Sequence, residues 1–279
     1  MICNPVRAGD LLRPMSDEHT LTGDIRRHAD FPSKALGNRR DVLVYLPPGY
    51  RRSRQRYPVF YMHDGQNLFD RATAYGGVEW EVDETAEQLI RAGQMQPTII
   101  VGIANAGAAR IDEYAPTPGF YEIGGGGKQR SLGLAQKYGK FLSEELKPFI
   151  DAHYRTKPEA EFTGTGGSSM GGLVSICLGL YFPKVFTRLA VMSPSIWWDD
   201  AVLFKYIDGL KRALPLKIWL DTGMDEPGWN RARVLRDCLL EKGWRMGETF
   251  RYQEVPGAKH TESAWAARID QVLKFLFPA

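Results

Sequence analysis

The chain has 279 residues, 43% hydrophobic and 25% charged, with a formal net charge of +3 at pH 7. Such a chain can bury the core of one large α/β domain, and its slight basicity is too small to imply a nucleic-acid or anionic-membrane partner. No apolar run reaches the roughly 18 residues of a membrane-spanning helix. The opening Met1–Asp10 lacks the apolar stretch of a secretory signal, so a cytoplasmic location is expected, or a periplasmic or secreted one if a signal once preceded it. Cys3, Cys177 and Cys238 are few, odd in number and far apart, which fits reduced thiols rather than a disulfide framework or a metal site.

Residues 1–18 are polar and irregular and read as a tail ahead of a single domain over 19–279. Residues 21–31 alternate loosely as an edge strand, and 40–50 form a stronger one stopped by Pro47, Pro48 and Gly49. These two are expected to pair antiparallel. Tyr57–Met62 is a continuous apolar run, the mark of a strand covered on both faces. It leads into the loop His63–Asp70. A helix follows near 82–92, with Thr85, Leu89 and Ile90 on its apolar side, and then a strand at 98–103. The rhythm continues with a helix over 134–154, an apolar helix from Met170, and strands at 186–192, 216–220 and 248–254. A helix near 229–242 and a closing helix to about 277 complete it. Strand–helix alternation of this kind implies a mostly parallel sheet with helices on both faces. Two stretches, 104–132 and 193–204, break the rhythm as long loops, the first carrying Gly124–Gly127.

The chemistry centres on Gly167-Ser168-Ser169-Met170-Gly171, a G-x-S-x-G pattern between a short strand and an apolar helix. With 29 glycines in the chain the five letters alone are weak. Their context is a nucleophile elbow: a tight turn that lifts a serine oxygen from the top of a sheet and aims the next N–H at developing negative charge. A Gly-rich turn that merely packs a helix on a sheet is the bland reading. Partners decide between them, because a serine hydroxyl needs a base within reach and an acid to orient that base.

The chain holds five histidines. His19 and His28 lie in the tail and first edge strand, and His153 near a helix end. His63 ends the third predicted strand but precedes the serine, so a structural or pocket-lining place is expected for it. His260 follows the last strand and precedes the closing helix, where an α/β-hydrolase carries its base. The acid should follow the strand 216–220. Asp221 belongs to the strand end, and the loop beyond supplies Asp225 and Glu226, which sequence alone does not separate. The order Ser…Asp/Glu…His is far more specific than the elbow.

Over roughly residues 38–277 the chain resembles the Putative esterase family of α/β-hydrolases, which includes S-formylglutathione hydrolase (esterase D), enterochelin-type siderophore esterases, feruloyl esterase domains and mycolyltransferases. The likeness rests on His63–Asp70, Gly167–Gly172, Ser193-Pro194-Ser195-Ile196-Trp197-Trp198 and the Gly-x-x-His loop ending at His260. It implies an α/β-hydrolase fold without a large lid, Ser169 as nucleophile, His260 as base, and the backbone N–H groups of Gln66 and Met170 as oxyanion donors. Glu226, three residues after Gly223, is the acid it favours over Asp225. The resemblance implies no metal or organic cofactor.

Expected substrates are small short-chain or aryl esters, with His63, Asp64, Tyr114, Trp197 and Trp198 lining the pocket. Arg110 and Arg130 are candidates for an anion, although solvated surface positions are the plainer expectation. A siderophore ester, or acyl transfer to a sugar or other alcohol, would use the same residues. A non-catalytic binding module would show the loss of one triad member, and none is lost.

Overall fold

In the computed structural model, which describes residues 19–123 and 126–279, the chain enters through two antiparallel strands, β1 (Asp24–Ser33) and β2 (Asn38–Leu46). The tail expected over 1–18 lies outside the described residues. β3 (Val59–His63), α1 (Val82–Arg91) and β4 (Ile99–Ile103) follow. Next come α2 (Arg110–Tyr114), the hairpin β5 (Gly119–Ile123) and β6 (Gly127–Ser131), α3 (Ala135–Lys140) and α4 (Lys147–His153). Then β7 (Thr163–Ser168), α5 (Met170–Tyr181), β8 (Arg188–Met192), α6 (Trp198–Asp208), β9 (Lys217–Gly223) and α7 (Asn230–Glu241) alternate. β10 (Phe250–Val255), α8 (Glu262–Ala266) and α9 (Ile269–Leu276) end the fold. The main sheet runs β1-β2-β4-β3-β7-β8-β9-β10, antiparallel across its first three strands and parallel from β4 onward.

The period of two in the strands builds two cores. Val59 and Tyr61 of β3 join Leu189 and Val191 of β8 under α5, whose Leu173, Val174, Ile176 and Cys177 are buried there. Phe60 and Met62, with Ala190 and Met192, face the opposite layer, where Ala86 and Leu89 of α1 and Ile269 and Val272 of α9 cover them. On α1 the buried apolar stripe is Val82, Ala86 and Leu89; Thr85 and Ile90, expected to share it, are only half-buried. No helix among the described residues is long and apolar enough to cross a membrane.

Four stretches differ from the sequence reading. The helix expected over 134–154 is interrupted by a π-helical segment, Phe141–Leu146, just before Pro148, which lacks the N–H an unbroken helix would need. The closing helix breaks at Arg268, whose φ of −128° separates α8 from α9. The loop 104–132 contains α2 and the hairpin β5–β6. The loop 193–204 contains the start of α6, where Asp199, Asp200 and Ala201 take left-handed φ values of 47°, 49° and 57°.

Glycine is required in β7 because side chains of the neighbouring strands press on it. A Cβ at Gly166 would lie 2.5 Å from the Ala190 Cβ and 2.7 Å from the Phe60 ring. Gly166→Ala is therefore expected to cost about 1–3 kcal/mol by overpacking, read as a lower denaturation midpoint with an unchanged urea slope.

Candidate active site

Between β7 and α5 the backbone turns at Ser169 with φ 58° and ψ −122°, a combination that non-glycine residues rarely adopt. Hydrogen bonds from three elements hold it there. The Ser169 N–H donates to the Met192 carbonyl at the end of β8 (3.0 Å), and its own carbonyl accepts from Leu173 and Ser195 N–H, each at 3.0 Å. Gly172 lets the helix come this close: a Cβ there would stand 2.6 Å from the Met192 oxygen. Met170 is the first residue of α5, so its N–H has no partner within the helix. The Ser169 hydroxyl lies 3.3 Å from that of Ser195.

His260 sits in the loop after β10, its ring edge-on to Trp265 with centroids 4.9 Å apart. Its Nδ1 is 2.9 Å from Glu226 Oε2. That contact fixes Nδ1 as the protonated nitrogen and leaves Nε2 as an acceptor; His260 and Ser169 line one cleft, but no hydrogen bond joins their side chains. The other Glu226 oxygen accepts from the Ser193 hydroxyl (2.6 Å) and the Gly223 N–H (2.9 Å). Burial pushes the Glu226 carboxyl upward, but the bonds from His260 and Ser193 outweigh it and hold the group below its ordinary value. Asp225, its neighbour, is exposed to solvent. Geometry thus separates two carboxylates that composition could not.

Behind this pair lies a buried ionic network. Arg268 donates to Asp221 Oδ1 (3.0 Å) and to the Ser193 hydroxyl (2.7 Å). Trp219 Nε1 donates to Asp221 Oδ2 (2.7 Å), and Trp265 Nε1 to the Ser193 hydroxyl (3.0 Å). Ser193 Oγ therefore accepts two bonds and passes its one proton to Glu226, which leaves that hydroxyl a single orientation.

The loop after β3 supplies the facing wall. Asp64, at φ 56°, receives a bidentate pair of bonds from Arg110 (2.7 and 2.8 Å) and one from Asn105 (2.7 Å). Gln66 is pinned at both ends. Its carbonyl accepts from the Thr73 hydroxyl (2.7 Å) and its side-chain oxygen from the Asn105 N–H (3.2 Å). Ser169, His260 and Gln66 open on one cleft of about 640 Å³, walled also by Tyr75, Val78, Arg110, Glu262 and Trp265. That size suits a small organic ligand.

Of the five residues expected to line the pocket, Asp64 does so, carrying Arg110 into the wall with it. Arg110 is thus a paired cation beside the cleft rather than a solvated surface charge. His63 and Tyr114 do not line it. His63 is buried between the Tyr138 and Thr165 hydroxyls (2.9 and 3.1 Å), and burial drives it down to about 3, so its ring is neutral. The buried Tyr114 hydroxyl accepts from the Asp64 N–H (3.3 Å). Trp198 is buried as well, its indole N–H donating to the Thr117 carbonyl (3.2 Å) and its ring set against Gly119 of the hairpin. Trp197 is half-exposed and borders a separate small hollow of about 50 Å³ on the Glu226 side of His260. The large aromatic side chains at the cleft are Tyr75 and Trp265, which the sequence reading did not single out.

Ser193 and Ser195 were named only within a motif of the resemblance and given no role, and Arg268 was missed. The two serines had a usable signal, since they follow the strand beside the elbow strand and share its sheet end. Arg268 had none, because a basic residue in a closing helix reads as solvated until the fold turns it inward.

The sequence profile of the family described as Putative esterase matches residues 33–276. The chain is 29% identical to the uncharacterized protein YbbA of Bacillus subtilis over 209 residues, 73% of this chain and 74% of that one. It is 28% identical to the iron(III) enterobactin esterase of Escherichia coli over 139 residues, 47% of this chain and 34% of that protein. The enterobactin esterase FES of Shigella flexneri superposes with a TM-score of 0.71 at 21% identity, over 95% of this chain and 62% of that one. The last likeness is one of fold, an α/β-hydrolase.

Proposed function

The chain belongs to the Putative esterase family, and we propose that it cleaves a small ester through an acyl-enzyme on Ser169. The observation that carries the reading is the Glu226–His260 bond, oriented by Ser193, opening on the same cleft as a serine held at φ 58°. Nε2 of His260 takes the Ser169 proton as Oγ attacks the ester carbonyl, and Glu226 stabilises the imidazolium that forms. The tetrahedral oxyanion lies against the N–H groups of Met170 and Gln66, each worth about 10²–10³ in rate. His260 then returns the proton to the leaving alcohol and activates the water that frees the acid.

Short-chain and aryl esters fit a 640 Å³ cleft flanked by Tyr75 and Trp265. The relatives named as enterobactin esterases favour a siderophore ester as the second candidate. A panel of p-nitrophenyl esters of rising chain length, an aryl ester and enterobactin, with fluorophosphonate labelling alongside, tests both. Turnover of one class and a label on Ser169 are expected. No turnover and no label would overturn the reading.

The acid is open to a direct comparison. Glu226→Gln keeps the side chain's shape but cannot hold the imidazolium, and is expected to lower kcat by about 10²–10⁴-fold. Asp225→Asn should stay within about twofold. Equal losses in the two variants, measured as kcat on one good ester, would contradict the assignment.

A further inference from the structure

A second polar cluster lies behind the cleft wall, apart from the triad. Glu79 follows the cleft-lining segment Tyr75–Val78, and Asp83 and Glu84 lie in the first turn of α1. Glu79 and Asp83 are buried and Glu84 is half-buried, and one carboxylate oxygen from each lies within 4.8 Å of the others. The segment 20–22 closes over them. The Thr20 hydroxyl donates to Glu79 Oε1 (2.5 Å), the Thr22 N–H to Asp83 Oδ2 (2.7 Å) and the Thr22 hydroxyl to Glu84 Oε1 (2.8 Å).

Each carboxylate has thus one oxygen satisfied and one that is not. Glu79 Oε2, Asp83 Oδ1 and Glu84 Oε2 are buried and accept no hydrogen bond from any described residue. Buried carboxylate oxygens without a partner are costly and rare, and this one cluster holds three. The carboxylates of Glu84, Asp70 and Glu81 add repulsion at Glu79.

We propose that Glu79, Asp83 and Glu84 bind a hard divalent cation, calcium in the first place, through those three oxygens. Calcium takes oxygen ligands at about 2.3–2.6 Å, so oxygens bound to one ion are at most about 5 Å apart, a condition that one oxygen from each carboxylate meets. Magnesium, at about 2.1 Å, demands a tighter octahedron. The ion would tie together the segment 20–22, the first turn of α1 and the loop that carries Tyr75 and Val78 into the cleft. That loop is joined to the far wall as well, since the Trp80 indole N–H donates to Glu262.

Thermal melting of EDTA-treated full-length protein, titrated with calcium chloride and separately with magnesium chloride at constant ionic strength, tests the site. Calcium at about 100 times its Kd is expected to raise the melting temperature by about 5 °C or more, saturably and reversibly with EDTA. Glu79→Gln and Glu84→Gln, each removing one repelling charge, should melt no lower than cation-free wild type and lose most of the calcium response. A wild-type melting temperature unmoved by either ion at about 10 mM, a weak extracellular-type affinity, would overturn the proposal in favour of a proton shared among the carboxyls. An undiminished response in both variants would overturn it too, by placing the ion elsewhere.

Discussion

Ser169→Ala is expected to lower kcat for ester hydrolysis by about 10⁵–10⁶-fold, the loss seen when the nucleophile of a serine triad is removed, and to abolish fluorophosphonate labelling. The residual rate would come from the Met170 and Gln66 donors, which do not depend on the hydroxyl. Structural damage does not account for such a loss. Alanine keeps the Cβ and the backbone bonds to Met192, Leu173 and Ser195 that hold φ at 58°, and gives up only the 3.3 Å contact with the Ser195 hydroxyl. The melting temperature should therefore remain close to wild type. Wild-type kcat in Ser169→Ala would remove the nucleophile from the mechanism and with it the acyl-enzyme.

Arg268→Leu is expected to cost about 3–5 kcal/mol, because it leaves Asp221 charged and buried without its cation. A loss of that size lowers the melting temperature by about 10 °C in a chain of this length. Asp221 is fully buried, and burial already pushes its carboxyl upward against the restraint of Arg268 and Trp219. The same change removes one of the two donors that orient the Ser193 hydroxyl, so kcat should fall more than stability alone explains. The double variant Arg268→Leu, Asp221→Asn separates the two effects: it should regain much of the stability but not the lost kcat. Calorimetry and steady-state kinetics on the three proteins decide it, and an Arg268→Leu protein within about 1 kcal/mol of wild type would refute the network's role.

The fold was legible because its signals are local and repeated. Tyr57–Met62 and Ile99–Ile103 are continuous apolar runs, the mark of strands covered on both faces, and the structure places β3 and β4 there, side by side in the middle of the sheet. The candidate triad was legible in order, since each member follows its own strand. The choice between Asp225 and Glu226 was not, because it depends on which carboxylate the turn after Gly223 directs inward. Pocket lining was the least legible. Trp198 and Tyr114 are close to the site in sequence logic, yet both are used as internal supports, one for the hairpin and one for the Asp64 loop. An aromatic residue carries the same local signal in either place, and only tertiary packing distinguishes them.

The strand order has a consequence for when the protein becomes active. In the proposed mechanism the Gln66 loop follows β3, Ser169 follows β7, Glu226 follows β9 and His260 follows β10, and β3 meets β7 through pairs such as Val59 with Thr163. Contacts between residues so distant in sequence form slowly, since a long loop must close before any bond rewards it. On a ribosome or in refolding, a partly built sheet can hold the serine and the acid correctly and still have no base to offer them. Catalytic competence therefore arrives with the last strand to dock, and a half-folded chain is silent rather than promiscuous.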